Sequence, residues 1–206
     1  ISLDFVKKDL PRYLQFIYDL CMSCWDACKE DCDLIIQNPP AFAGVHIAER
    51  LQIPIINSFT MPWSRTRAYP NAFGYVENLD NPAYNYSSHL LIEEQGMWQP
   101  LRTKINKFRK AIDLPEIRFG GSSLAHDRKV PFVYCFSPLI VPKPSDWGPH
   151  IHVCGYFFLD SPSTWKPDPK LVEFISKKPK PIYIGFGSIT VGDPDGLTNA
   201  IYTALE

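Results

Sequence analysis

Apolar and polar positions change period along this chain, and those changes predict its elements. From Leu10 to Cys32 apolar residues recur every three or four positions, with Ile17, Cys21, Cys24, Cys28 and Cys32 on one stripe. That is an amphipathic helix, with Asp9 as its cap and Pro11 tolerated in the first turn. Asp33-Leu34-Ile35-Ile36 is a short apolar run closed by Gln37-Asn38-Pro39-Pro40, which reads as a buried strand. Helical spacing returns over Ala41–Gln52, with Val45, Ala48 and Leu51 inward, until Pro54 stops it and opens a strand running to Phe59. Strand, helix and strand joined by short connections predict a βαβ unit of a parallel sheet with a right-handed crossover.

The next stretch, Thr60–Phe73, has no regular period. Pro62 and Pro70 forbid an uninterrupted helix or a central strand, so it is a rigid irregular loop carrying Trp63, Tyr69 and Phe73 beside Arg65 and Arg67. In an open α/β sheet, loops after the carboxyl ends of the strands line the ligand crevice. This loop is therefore a candidate binding element, against the plainer reading of an aromatic loop capping the sheet edge. Beyond it, Asn78–Ser88 reads as a turn-rich connection, followed by helices at His89–Gln95 and Trp98–Ile112 with Gly96 between them. Lys104, Lys107, Arg109 and Lys110 form a basic face, read as solvated rather than membrane-binding. Gly120–Ser123 marks a loop, and Pro131–Val141 and Ile151–Phe158 are predicted strands.

Three prolines make Ser161–Pro169 the linker candidate, and Asp168–Lys177 is a short helix. Pro181–Ser188 reads as a strand turning through glycines, with Asp195–Glu206 the helix after it. The expected organisation is a first lobe over residues 1–160, a linker and short helix over 161–178, and the start of a second lobe over 179–206. One strand and one helix cannot bury a core of their own. Residues 179–206 must therefore pack on the first lobe or on further polypeptide.

Composition narrows the classes. Of the 206 residues 45% are hydrophobic and 21% charged, ordinary for a globular protein, and a net charge of -1 argues against nucleic acid as a partner. The best apolar run, Val130–Val141, is too short for a membrane span and is broken by Pro131 and Pro138. Ile1-Ser2-Leu3-Asp4 has neither a signal-peptide pattern nor an initiator Met, so the chain is expected to begin inside a longer protein. The four cysteines of the first helix could suggest zinc or an iron–sulfur cluster. Ligands strung along one continuous helix cannot surround one ion, so reduced, buried thiols, no metal and a cytosolic compartment are expected. His46, inside a helix, reads as a structural hydrogen-bonder rather than a catalytic base.

Several stretches together resemble fungal sterol glucosyltransferases, the UDP-glucose:sterol branch of the UDP-glycosyltransferase family. They are Ala43–Glu49 (A-G-V-H-I-A-E), the loop Thr60–Phe73, Val130–Tyr134 (V-P-F-V-Y), Val153–Asp160 (V-C-G-Y-F-F-L-D) and Ile182–Ser188 (I-Y-I-G-F-G-S). The resemblance covers most of the chain from Asp33 onward. It implies an α/β chain: the Rossmann-like parallel sheet of a GT-B N-terminal lobe plus the first βα unit of the C-terminal lobe. It further implies inverting transfer of glucose from UDP-glucose to a sterol 3-hydroxyl, with no cofactor or metal. The parent protein would be cytoplasmic, with peripheral membrane contact.

On that resemblance the acceptor side involves Gln37, Phe42, Thr60, Met61, Trp63, Arg65, Tyr69 and Phe73. Gly187 and Ser188 would lie near the donor diphosphate, where small residues let backbone N–H groups approach phosphate oxygens. The dinucleotide fingerprint is incomplete, because Thr190 stands where a third glycine would be. The family's Gly-rich, Asp-bearing loop, its usual source of the base, has no match here and is expected upstream. Its His- and Gly-rich donor signature is expected downstream of Glu206. Related enzymes can carry an acidic residue where Gln37 stands, and an amide orients a ligand but cannot act as a base. The chain alone is expected to be inactive; a sterol-binding module or one subunit of a split glycosyltransferase are the alternatives.

Overall fold

Four short strands form one parallel sheet in a computed structural model that describes residues 9–74, 80–118, 124–159, 166–188 and 192–205. They are β1 (Ile35–Gln37), β2 (Ile55–Phe59), β3 (Phe132–Tyr134) and β4 (Ile151–Val153), in the spatial order β1-β2-β3-β4. The fold is α/β and Rossmann-like. Register aligns Gln37, Asn57, Phe132 and Ile151 in one row across the sheet, and Phe59, Tyr134 and Val153 in the next. Side chains alternate between faces of a strand, so both rows share a face. Ile36 and His152, on the other face, are exposed.

Helix α1 (Leu10–Cys28) packs on α4 (Gln99–Ala111), and α2 (Gly44–Leu51) packs on β1. Their shared core contains Ile17, Cys21, Ile35, Ile47, Ile105 and Phe108. A second core joins Phe59, Phe132, Tyr134, Phe136, Trp147 and Ile151 under the loop that follows β2. The chain divides into two compact units, Ile1–Phe158 and Leu159–Glu206. Among the described residues, no helix is long and apolar enough to cross a membrane.

Several boundaries differ from the sequence reading. Helix α1 stops at Cys28, so Cys32 lies beyond it, and Cys21 alone of the four thiols is fully buried. In α2 the buried residues are Gly44, His46, Ile47 and Ala48, while Val45 and Leu51 are half-buried. Helix α3 (Pro82–Leu91) begins inside the stretch read as turn-rich and runs past its end at Ser88. Its start is secured by the Asn81 side chain, which accepts from the Ala83 and Tyr84 N–H groups, with Pro82 in the first turn. A π-helical segment, Ile92–Trp98, then runs into α4 without a break, so Gly96 is absorbed in a widened turn instead of separating two helices.

Strand β3 ends at Tyr134, well short of Val141, and β4 at Val153, where Gly155 turns with φ +81°. Helix α5 (Leu124–Asp127) leads into β3. The Gly120–Ser123 loop and most of the Ser161–Pro169 linker lie outside the described residues.

In the second unit, helices α6 (Pro169–Ser176) and α7 (Pro194–Leu205) form as expected, with Asp168 capping α6 by accepting from the Lys170 N–H. The expected strand at Pro181–Ser188 does not: residues 181–186 make no ladder, and Ile182 and Tyr183 are exposed. A strand is defined by a paired neighbour, and the described residues of this unit supply none.

Candidate functional site

The loop after β2 is held from below and from both sides. Below it, the Tyr134 hydroxyl accepts from the backbone N–H groups of Trp63 (3.1 Å) and Ser64 (2.6 Å) and pairs with the Ser64 hydroxyl at 2.7 Å. Asp146 accepts from the Thr66 hydroxyl and the Arg67 N–H, both at 2.7 Å, and Trp147 Nε1–H donates to the Arg65 carbonyl. On the helical side the Asn71 N–H donates to Ser88 Oγ, Asn85 Nδ2 donates to the Arg67 carbonyl, and His89 Nε2–H donates to the Tyr69 carbonyl. These contacts satisfy backbone groups that an irregular buried segment cannot pair by itself.

Between this loop, the sheet face and the helices lies a largely apolar cavity of about 160 Å³. Its floor is the row Gln37–Asn57–Phe132–Ile151. The π-helical segment contributes Glu93, Met97 and Trp98 to its wall, and the loop contributes Trp63, Ser64 and Arg65. The cavity therefore spreads over the sheet face as well as the carboxyl ends of the strands.

Several polar groups at its edge are held in place, while Trp98 Nε1–H is buried without a hydrogen-bond partner among the described residues, and His126 and His150 also line the cavity. Gln37 donates to the Asn57 carboxamide oxygen (2.9 Å), and its own oxygen accepts from the Gly44 N–H (2.9 Å). A Cβ at Gly44 would collide with that carboxamide, so the first turn of α2 approaches Gln37 closely because residue 44 is glycine. Buried Arg65 donates through Nε and Nη2 to Glu93 Oε2 at 2.8 and 2.6 Å. Burial holds Glu93 above the usual carboxylate range, although Arg65 pulls the other way. His46 Nδ1 accepts from Arg109 Nη1 at 3.0 Å, which leaves the proton of the neutral ring on Nε2. Burial, reinforced by the Arg109 charge, lowers its pKa to about 3, so it stays neutral at physiological pH.

The residues singled out from sequence distribute unevenly. Gln37, Phe42, Trp63 and Arg65 meet at this cavity. Met61 and Phe73 line an adjoining groove, which Phe42 and Trp63 also border. Tyr69 lies apart, against Val141 and Pro142, and Thr60 is exposed and lines neither cavity nor groove. In the second unit Gly187 has φ +61° with open space around it, and Ser188 is exposed.

Sequence reasoning missed Glu93, Tyr134, Asp146 and the Arg109 contacts of His46. Tyr134 closes Val130–Tyr134, one of the stretches that carry the resemblance. Nothing in the helical pattern marks Glu93, because its value lies in a partner 28 residues away. Among the described residues no three His, Cys, Asp or Glu side chains converge as a metal site.

Fold and cavity define a class: a Rossmann-like lobe with an apolar cavity and a few oriented polar groups, the usual make-up of a small-molecule site. No family model matches the chain. It is 39% identical over 218 residues to the sterol 3-beta-glucosyltransferase of Cryptococcus neoformans, covering 99% of this chain and 13% of that protein. It is 41% identical to that of Emericella nidulans over 211 residues and 40% identical to that of Komagataella phaffii over 212. Both cover 100% of this chain, but 15% and 17% of the relatives. Along nearly its whole length the chain is therefore similar to sterol 3-beta-glucosyltransferases. It spans roughly a seventh of the length of the relatives it matches.

Proposed function

We propose that this chain is the acceptor-side part of a UDP-glucose-dependent sterol glucosyltransferase that transfers glucose, with inversion, to a sterol 3-hydroxyl. The observation that carries the reading is the apolar cavity under the loop after β2, in a chain about 40% identical to sterol 3-beta-glucosyltransferases along its whole length. A flat, nearly apolar acceptor needs large apolar walls and few polar contacts. Phe42 and Trp63 supply the walls; Gln37 and Arg65, each fixed by a partner, supply orientation. Gly187 and Ser188 are proposed to face the donor diphosphate, with backbone amides providing positive potential without a metal. Peripheral membrane contact of the parent protein would bring the cavity to its lipid-borne acceptor.

A hydroxyl attacking at neutral pH needs a general base. Glu93 is engaged by Arg65, and His46 Nδ1 already accepts from Arg109. His126 and His150 also line the cavity; on the resemblance, the base is proposed to come from polypeptide outside this stretch, which would leave the isolated chain without transferase activity. The same observation favours one second reading, a sterol-binding module without catalysis.

The deciding experiment incubates the complete natural protein with UDP-[14C]glucose and cholesterol. A radiolabelled β-linked steryl glucoside is expected. Cholesterol binding without any glucoside would favour the binding module, and neither binding nor transfer would remove the acceptor assignment.

A further inference from the structure

Beside the cavity lies a second apolar depression, a groove of about 490 Å³. Phe42, Trp63, Met97 and Leu101 line both, so the two spaces share that part of their walls. The far wall of the groove is formed by Tyr13, Met61 and Phe73, and its rim by Gly96 in the π-helical segment. A π-turn is rare and is frequently found at functional sites; this one presents Met97 to both spaces at once. The cavity is smaller than the roughly 300–1,000 Å³ typical of pockets that enclose a drug-sized ligand. Cavity and groove together fall inside that range.

Resting on the acceptor reading above, we infer that the groove is a second compartment of the acceptor site. It takes the flexible aliphatic chain of the sterol while the ring system occupies the cavity. Phe42, Trp63 and Met97 form the partition over which the molecule is laid, and the space beyond them sets the length and branching of chain the protein accepts. The cavity lining includes the polar or charged side chains of Gln37, His46 and Arg65, while the groove lining includes Asn38. The groove wall opposite the partition carries aromatic and thioether surface, as an alkyl chain requires.

Gly96 gives a clean test. A Cβ there meets nothing nearer than Ile92 Cγ2 at 3.9 Å, so a Cβ can be added without collision at a residue that lines the groove. Binding of radiolabelled cholesterol would be compared with that of dehydroepiandrosterone, which keeps the ring system and 3-hydroxyl but lacks the alkyl chain. Both would be titrated in detergent micelles against the complete natural protein, after checking that each variant keeps its melting temperature. Gly96→Leu is expected to weaken cholesterol about tenfold or more, the effect of losing two buried methylenes, and dehydroepiandrosterone less than about twofold.

Phe73→Ala, which removes an exposed wall residue without burdening the core, should show the same selectivity if Gly96→Leu is unstable. Equal weakening of both ligands, or of neither, would overturn the groove assignment. Val45→Phe, which narrows the cavity, separates the two levels of the argument. Loss of both ligands in this variant upholds the cavity as ring site whatever Gly96→Leu does. Retention of both overturns the acceptor reading and this inference with it.

Discussion

Arg109 lies almost wholly buried on α4, yet each guanidinium nitrogen has a partner. Nε donates to the Pro115 carbonyl, Nη1 to His46 Nδ1 and Glu49 Oε2, and Nη2 to Glu49 Oε1. Removing one member of a buried ion pair leaves the other uncompensated. Arg109→Met is expected to cost about 3 kcal/mol in urea unfolding at pH 7; a loss under about 1 kcal/mol would mean the pair behaves as a surface contact. His46 adds a pH dependence. Its folded pKa of about 3 lies below the ordinary 6.5, so between those values the unfolded chain binds a proton that the folded chain does not. Stability is therefore full above pH 6.5 and falls on acidification, by about 1.4 kcal/mol per pH unit for one such group. His46→Gln, whose amide oxygen can still accept from Arg109, should flatten that slope; an unchanged slope would place its origin in other histidines. The thiols differ as well. Burial raises Cys21 to about 12, and it should resist iodoacetamide in native protein while exposed Cys154 is alkylated. Equal labelling of the two would contradict that burial.

At the scale of elements, the loop after β2 owes its shape to residues far along the chain. Tyr134→Phe removes an acceptor shared by two backbone N–H groups and a hydroxyl, and is expected to cost about 2–3 kcal/mol. The loop should also become cleavable near Trp63 by chymotrypsin, and unchanged stability with continued protection would show that Asp146 and Trp147 suffice. The sequence announced this loop through its prolines and aromatics, because those residues act locally. It announced the βαβ unit because hydrophobic period is also local. It did not announce α3, whose start depends on Asn81 accepting from two N–H groups. Nor did it announce the π-turn, where Gly96 invites a break that packing overrides. Glu93, which lines the cavity, and Arg109, which holds the cavity residue His46, were illegible for the same reason: on a helix they look like ordinary solvated charges until the fold supplies Arg65 and His46.

At the scale of the molecule, the parallel order of the strands follows from the βαβ pattern, and the row Gln37–Asn57–Phe132–Ile151 follows from the register. That row is the cavity floor, which no single segment of sequence could reveal. Residues 181–186 have the composition of a strand but no partner among the described residues of their unit, so strand propensity alone does not make one. The central claim is that the cavity under the loop receives the sterol. Trp63, stacked edge-on against Phe59 and Phe73 and lining both cavity and groove, is the residue on which that claim bears most heavily. The most direct measurement titrates cholesterol and UDP-glucose separately against the complete natural protein and its Trp63→Ala variant, with melting temperatures matched. Loss of the aromatic surface should weaken cholesterol roughly tenfold to a hundredfold and leave UDP-glucose within about twofold. Undiminished cholesterol affinity in a folded Trp63→Ala protein would contradict the account.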